Sequence, residues 1–177
     1  ILLYVGDRTE VRRADVLDVL SNSREASVFD LTSALEARDT AGALRALRSL
    51  AMQREAAQAT LGMVAGTVRG LIVARAVLDR RLDGRFDPRL TYATFQARVL
   101  PRLAADAEAD DGAVARVRGM HPFRAFNLLR AAARFSQDEL VRGLEAVHDA
   151  DRALKTGAQP EGLILETLAV ALCAGET

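Results

Sequence analysis

The chain has 177 residues, half of them hydrophobic and 27% charged, which suits one packed domain, or one plus a fragment, and argues against disorder. The 24 acidic and 24 basic residues cancel, so a domain whose whole task is to grip phosphate is excluded, since such a domain carries a basic excess. The single cysteine, Cys173, excludes an intrachain disulfide and a cysteine metal cluster.

Ala, Leu and Arg dominate, and alternating β-branched patterns are scarce, so the chain reads as all-α. "TEVRRADVLDVLSN" places Val11, Val16, Leu17 and Leu20 on one helical stripe, with Thr9 as N-cap. "SVFDLTSALEARD" groups Val28, Phe29, Leu31, Ala34 and Leu35 on another, with Ser27 as candidate cap. "DTAGALRALRSLAM" starts from Asp39 or Thr40 and aligns Leu44, Leu47 and Leu50; Gly42 is a mild cost in its first turn.

From Glu55 to about Leu82, apolar residues recur at spacings of three and four, which predicts a long amphipathic helix. Gly62, Gly66 and Gly70 recur every fourth residue in it. Arg69 and Arg75 argue against a membrane interface, and the spacing predicts close approach of a neighbouring helix. No apolar run is expected to reach the ~20 residues of a membrane span.

"DGRFDPRLT" is a turn-rich break punctuated by Gly84 and Pro88. In "TYATFQARVLPRLAADAEADDG" the interior Pro101 predicts two pieces or a kink. The acidic "DAEADDG" reads as a solvated loop or helix end, because it lacks the spacing of a calcium loop.

In "MHPFRAFNLLRAAARFS", Pro122 fits the first helical position. Phe123, Phe126, Leu128, Leu129, Ala132 and Ala133 supply an apolar face, with Phe123, Phe126 and Leu129 as anchors. "SQDE" is a capping box with Ser136 as cap and Glu139 three residues on. The helix it opens carries Leu140, Val141, Leu144, Val147 and Leu154 and ends at Gly157, which suits a left-handed cap position. Pro160 begins a last helix, apolar nearly all round and therefore expected to be central, ending at Gly175.

No chemical constellation emerges. "KTG" lacks the phosphate-loop glycines and the preceding strand, so Lys155 reads as a helix C-terminal cation. His121 and His148 have no partners at metal-ligand spacing; His148 and Asp151 are placed to pair on one helix. Cys173 sits in "LAVALCAG" as a small buried residue with no base spaced to activate it. No catalytic, cofactor-binding or metal residue is assigned, and an all-α enzyme has no motif in its favour. Arg124, Arg130 and Arg134 lie along one helix, which leaves a helical DNA-binding module as the alternative to an ordinary solvated stripe beside a core face.

The order of segments carries a resemblance. "SREASVFDLTSALEARDTAGALRALRSL", "LGMVAGTVRGLIVARAVL", "MHPFRAFNLLRAAARFSQDELVRGLEAVHDADRALKTG" and "LILETLAVALCAG" together resemble the C-terminal part of the delta subunit of bacterial DNA polymerase III, the clamp-loader subunit that opens the sliding clamp. The resemblance implies an all-α helical bundle of the collar type, preceded by the end of a helical lid domain. Residues 1–24 would be the end of the lid and 25–177 the collar, an oligomerisation domain. It implies a non-catalytic role in DNA replication, with no nucleotide chemistry, cofactor or metal, within a subunit of the polymerase III holoenzyme. Collar domains of five subunits form a ring, so the implied partners are the other loader subunits, of gamma/tau and delta-prime type. The sliding clamp would be met only by an N-terminal domain outside this chain. DNA contact would be indirect, no membrane would be involved, and the setting would be cytoplasmic and reducing. The segment 83–119 is longer than the corresponding connection in the family, so helix contacts there do not carry over.

Overall fold

A computed structural model describes residues 10, 12, 24–82, 86–105, 112–157 and 159–175. The expected Val11–Leu20 stripe with its Thr9 cap, the Gly84 turn and the acidic stretch 106–111 lie outside the described residues. The fold is all-α, with no strand among the described residues. The helices are α1 (Arg24–Ala37), α2 (Thr40–Met52), α3 (Ala57–Val77), α4 (Tyr92–Thr94), α5 (Leu100–Ala105), α6 (Gly112–Arg118), α7 (Pro122–Ala132), α8 (Gln137–Thr156) and α9 (Glu161–Cys173). Two wide π-turns, Leu78–Leu82 and Phe95–Val99, continue α3 and join α4 to α5. The chain forms two compact units, one of residues 1–63 and 150–174, the other of residues 64–149 and 175–177.

In the first unit, α1, α2 and α9 pack on one another. Their inward stripes are Leu31, Ala34 and Leu35; Ala43, Ala46, Leu47 and Leu50; and Ile164, Leu165, Leu168, Ala169 and Cys173. Leu44 is only partly covered, because the small Ala43 and Ala46 take the inner positions and let the helices approach. Ser27 does not cap α1. It lies inside the helix, almost fully buried, and its hydroxyl meets Ser49 Oγ at 2.8 Å and accepts from Gln53 Nε2 at 2.9 Å. A buried hydroxyl is costly unless bonded, and this cross-helix cluster satisfies it.

The turn into α2 follows from Asp39. Arg38 adopts a left-handed φ of 59° to end α1, and Asp39 N donates to Ala34 O at 2.8 Å. Gly42 N donates to Asp39 Oδ1 at 2.9 Å, the N-cap bond of α2. A Cβ on Gly42 would lie 2.3 Å from Asp39 Oδ2. Gly42 is therefore more than a mild cost: its missing side chain lets the cap close. At the far end of α2 Arg54 is left-handed, with φ 58°, and Glu55 N donates to Leu50 O at 3.0 Å. Glu55 then accepts from Arg24 in a two-bond pair at 2.9 and 2.7 Å, holding the first turn of α1.

α3 runs as the periodicity predicts, with Leu61, Val64, Val68, Leu71 and Leu78 buried. The helical stretch Ala57–Leu82 is 26 residues long and, by length and composition alone, apolar enough to cross a membrane. This corrects the expectation that no such run exists. Its buried residues recur at core-helix spacing, which accounts for much of its apolar character. The glycine expectation also fails. A Cβ on Gly62 or Gly66 would meet nothing within 4 Å, and one on Gly70 would make ordinary contact with Leu128 at 3.7 Å. The first two glycines face outward, so no helix closes on them.

The second unit closes on Val77, Leu82, Phe95, Leu103, Val114, Val117 and Leu129, each at most 2% exposed. Pro101 interrupts as expected, by a defined device: Leu100 N donates to Phe95 O across a π-turn. Widening the helix just before the proline accommodates its missing N–H and its ring.

Candidate interaction surfaces

α7 is built by local chemistry. His121 is its N-cap, and Phe123 N donates to His121 Nδ1 at 3.3 Å, with Pro122 in the first turn. The histidine is thereby used as a cap, not a ligand. Ala125, Phe126, Leu128, Leu129, Ala131 and Ala132 form the buried face. Phe126 and Leu129 anchor the helix as expected, but Phe123 does not, being 52% exposed. Helical geometry explains the difference, since Phe123 lies at the start of α7 beyond the covered turns. Its ring meets Tyr92 edge-on at 5.3 Å, while Phe126 lies 5.3 Å from Phe95 and 5.5 Å from Tyr92.

The arginines of this segment are not one stripe. Arg130 turns inward, donating from Nε to Pro88 O at 3.0 Å with its guanidinium 5.2 Å above the Phe126 ring. Arg124 and Arg134 are exposed. The geometry makes α7 a packing helix with a basic outer margin.

The capping box forms in full: Glu139 N donates to Ser136 Oγ at 3.1 Å, and Ser136 N donates to Glu139 Oε2 at 2.6 Å. Along α8, Leu140, Val147 and Leu154 are buried, but Val141 is 44% exposed. Asp151 accepts from Lys155 Nζ at 2.6 Å, so it pairs four residues on rather than with His148. Gly157 takes φ +65° and donates to Ala153 O at 3.1 Å, the expected left-handed cap.

Cys173 is buried in the first unit. Burial pushes its thiol pKa up, outweighing the Thr40 side chain hydrogen-bonded to it, so it is less reactive than a free thiol. Among the described residues no group of three or more His, Cys, Asp or Glu side chains is placed to hold a metal ion. A groove along α1 and α2 is lined by Ser27, Asp30, Ser33, Asp39, Arg45 and Ser49. Ser27 and Ser49 already bond to each other, and Asp39 is occupied by the cap.

The sequence misplaces the apolar surface. α9 is not central. One side is buried, while Leu163 is 51% and Val170 43% exposed. Phe29, 70% exposed, and Met52, 80% exposed, add large apolar side chains to the surface of the same unit. These residues make no catalytic geometry. They suit a surface covered by another protein. Composition hinted at this in α9, whose all-round hydrophobicity exceeds what one buried face needs.

Comparison with known proteins agrees. Residues 94–172 match the family model described as DNA polymerase III delta subunit, C-terminal domain. Among curated proteins no relative matches. Among solved structures, the chain is similar to the Bacillus subtilis DNA clamp loader delta protein, with a TM-score of 0.58 and 22% sequence identity, over 97% of this chain and 42% of that one. The chain thus spans less than half the length of that protein. Residues 94–172 belong to the C-terminal domain family of the DNA polymerase III delta subunit, carried in a fold like that of a clamp-loader delta protein.

Proposed function

We propose that the chain is the assembly region of a clamp-loader delta subunit, a non-catalytic part that packs against other loader subunits while the sliding clamp is placed on DNA. Residues 1–24 would close a lid domain and residues 25–177 form the collar. The partners would be ATPase-type subunits of gamma/tau and delta-prime kind. The sliding clamp would be reached through a domain outside this chain. The reading carries a cytoplasmic setting and assigns the chain no catalytic step.

The observation that carries it is the exposed apolar set of the first unit: Phe29, Met52, Leu163 and Val170. Single exposed apolar residues are ordinary, but four large ones on helices of one unit are the composition of a surface meant to be covered. The family match over residues 94–172 supplies the class of partner. The test is size-exclusion co-elution with ATPase-type loader subunits. Leu163→Ser and Val170→Ser should weaken co-elution while leaving the helical circular dichroism unchanged. Retained co-elution in both variants contradicts this surface.

A further inference from the structure

The chain is neutral, yet its charges are not evenly spread. Between Asp87 and Asp138 the described residues include no aspartate or glutamate. Over the same residues Arg89, Arg98, Arg102, Arg116, Arg118 and Arg124 are exposed, and Arg130 and Arg134 bring the arginines to eight. The acids of this stretch, Asp106, Glu108, Asp110 and Asp111, are confined to residues 106–111. All of these residues belong to the second unit.

At one point this basic region carries open aromatic surface. Phe123 is 52% exposed and stands edge-on to the half-buried Tyr92 at 5.3 Å, their planes at 85°. The pair is held from beneath. Tyr92 stacks on buried Phe95 at 6.4 Å and lies 5.5 Å from buried Phe126. Arg130 braces the same cluster, covering Phe126 and holding Pro88 O. That bond fixes the turn in which Arg89 N donates to Asp87 Oδ1 at 2.8 Å, placing exposed Arg89 next to Pro88 at this cluster. Arg124 follows Phe123 directly. The folding core does not need the outer ring of Phe123, and no described acid neutralises Arg89 or Arg124.

We propose that Tyr92 and Phe123, with Arg89 and Arg124, form a contact site for single-stranded nucleic acid: the rings stack against a base and the two guanidiniums take the flanking phosphates. Rigid aromatic platforms beside arginines are the recurring means of holding an unpaired strand. The further arginines at 98, 102, 116 and 118 favour a polymeric phosphate chain over a short acidic peptide, because they extend the positive surface beyond one contact point. The inference does not rest on the assembly reading, which uses the first unit. It replaces the expected indirect contact with DNA by a direct one.

The test is fluorescence anisotropy of the 177-residue chain with a labelled oligothymidine of about 20 nucleotides, longer than the roughly 4–16 that small single-strand sites occupy. Phe123→Ala should weaken binding at least about fivefold, the loss of one stacked base. Phe123→Leu, which keeps the apolar bulk, should lose nearly as much. Arg89→Gln and Arg124→Gln should each lower the slope of log affinity against log salt by about 0.7. Phe29→Ser, in the other unit, should change nothing, and circular dichroism should report the same fold for all variants. The proposal is overturned by no binding at low salt. It is overturned equally by full affinity in Phe123→Leu, or by polyglutamate competing as well as the oligonucleotide.

Discussion

Phe123 and Phe126 lie on the same helix, three residues apart, and a reading from sequence treats them alike. The structure assigns them different work, and truncation separates the two. Phe126 is 4% exposed and lies against Phe95, Tyr92 and the Arg130 guanidinium. Phe126→Ala opens a cavity within the second core, and such truncations cost about 3–5 kcal/mol. Phe123 is about half exposed. Full burial of a phenylalanine is worth about 1.5–3 kcal/mol, so Phe123→Ala should cost about 1 kcal/mol. Urea unfolding followed by circular dichroism measures both. With a slope of about 2 kcal/mol per molar, the midpoint should fall by roughly 2 M for Phe126→Ala and about 0.5 M for Phe123→Ala. Equal shifts, or a larger one for Phe123→Ala, would refute the assignment of Phe126 as the anchor.

Three further outcomes follow from local geometry. Ser136→Ala removes the bond to Glu139 N and should destabilise by about 1 kcal/mol in the same assay, while Ser136→Asp should recover most of it. Gly157→Ala forces a Cβ into a left-handed backbone at φ +65° and should cost about 1–2 kcal/mol, with Gly157→Asn milder, as thermal melting would show. Burial raises the Cys173 thiol pKa in the fold, so the unfolded chain loses its thiol proton first as pH rises. Stability is therefore unaffected at neutral pH and falls as pH climbs through the ordinary thiol range. Alkylation of native Cys173 at mildly alkaline pH should be much slower than alkylation in urea, and equal rates would contradict its burial.

What the sequence made legible was the chemistry that acts over a few residues. Asp39, His121–Pro122, the Ser136–Glu139 box and Gly157 mark helix ends because their partners lie within four positions. Pro101 announced a break for the same reason, though not that a π-turn would absorb it. The misreadings all concern partners distant in sequence. Ser27 ahead of an apolar stripe looks like a cap, and only Ser49 and Gln53 on the neighbouring helix reveal it as a buried polar tie. The glycines at 62 and 66 have the spacing of a close helix contact, but no helix lies opposite. Phe29, Val141 and the outer side of α9 fit their helices' hydrophobic pattern, and no pattern states which side the rest of the fold will cover. The candidate surface was therefore nearly invisible before the structure, since an exposed apolar residue and a core residue read alike. The family, by contrast, was legible, because the order of segments survives where pairwise contacts cannot be inferred.

The account's central claim is that the apolar surface of the first unit holds this chain in an assembly of loader subunits. The most direct measurement is native mass spectrometry of the chain mixed with ATPase-type clamp-loader subunits, comparing the wild type with a Leu163→Ser/Val170→Ser double variant. The account predicts a defined hetero-complex for the wild type and its loss in the variant, with the variant still folded by circular dichroism. A wild type that remains alone, or a variant that assembles as well as the wild type, would contradict it.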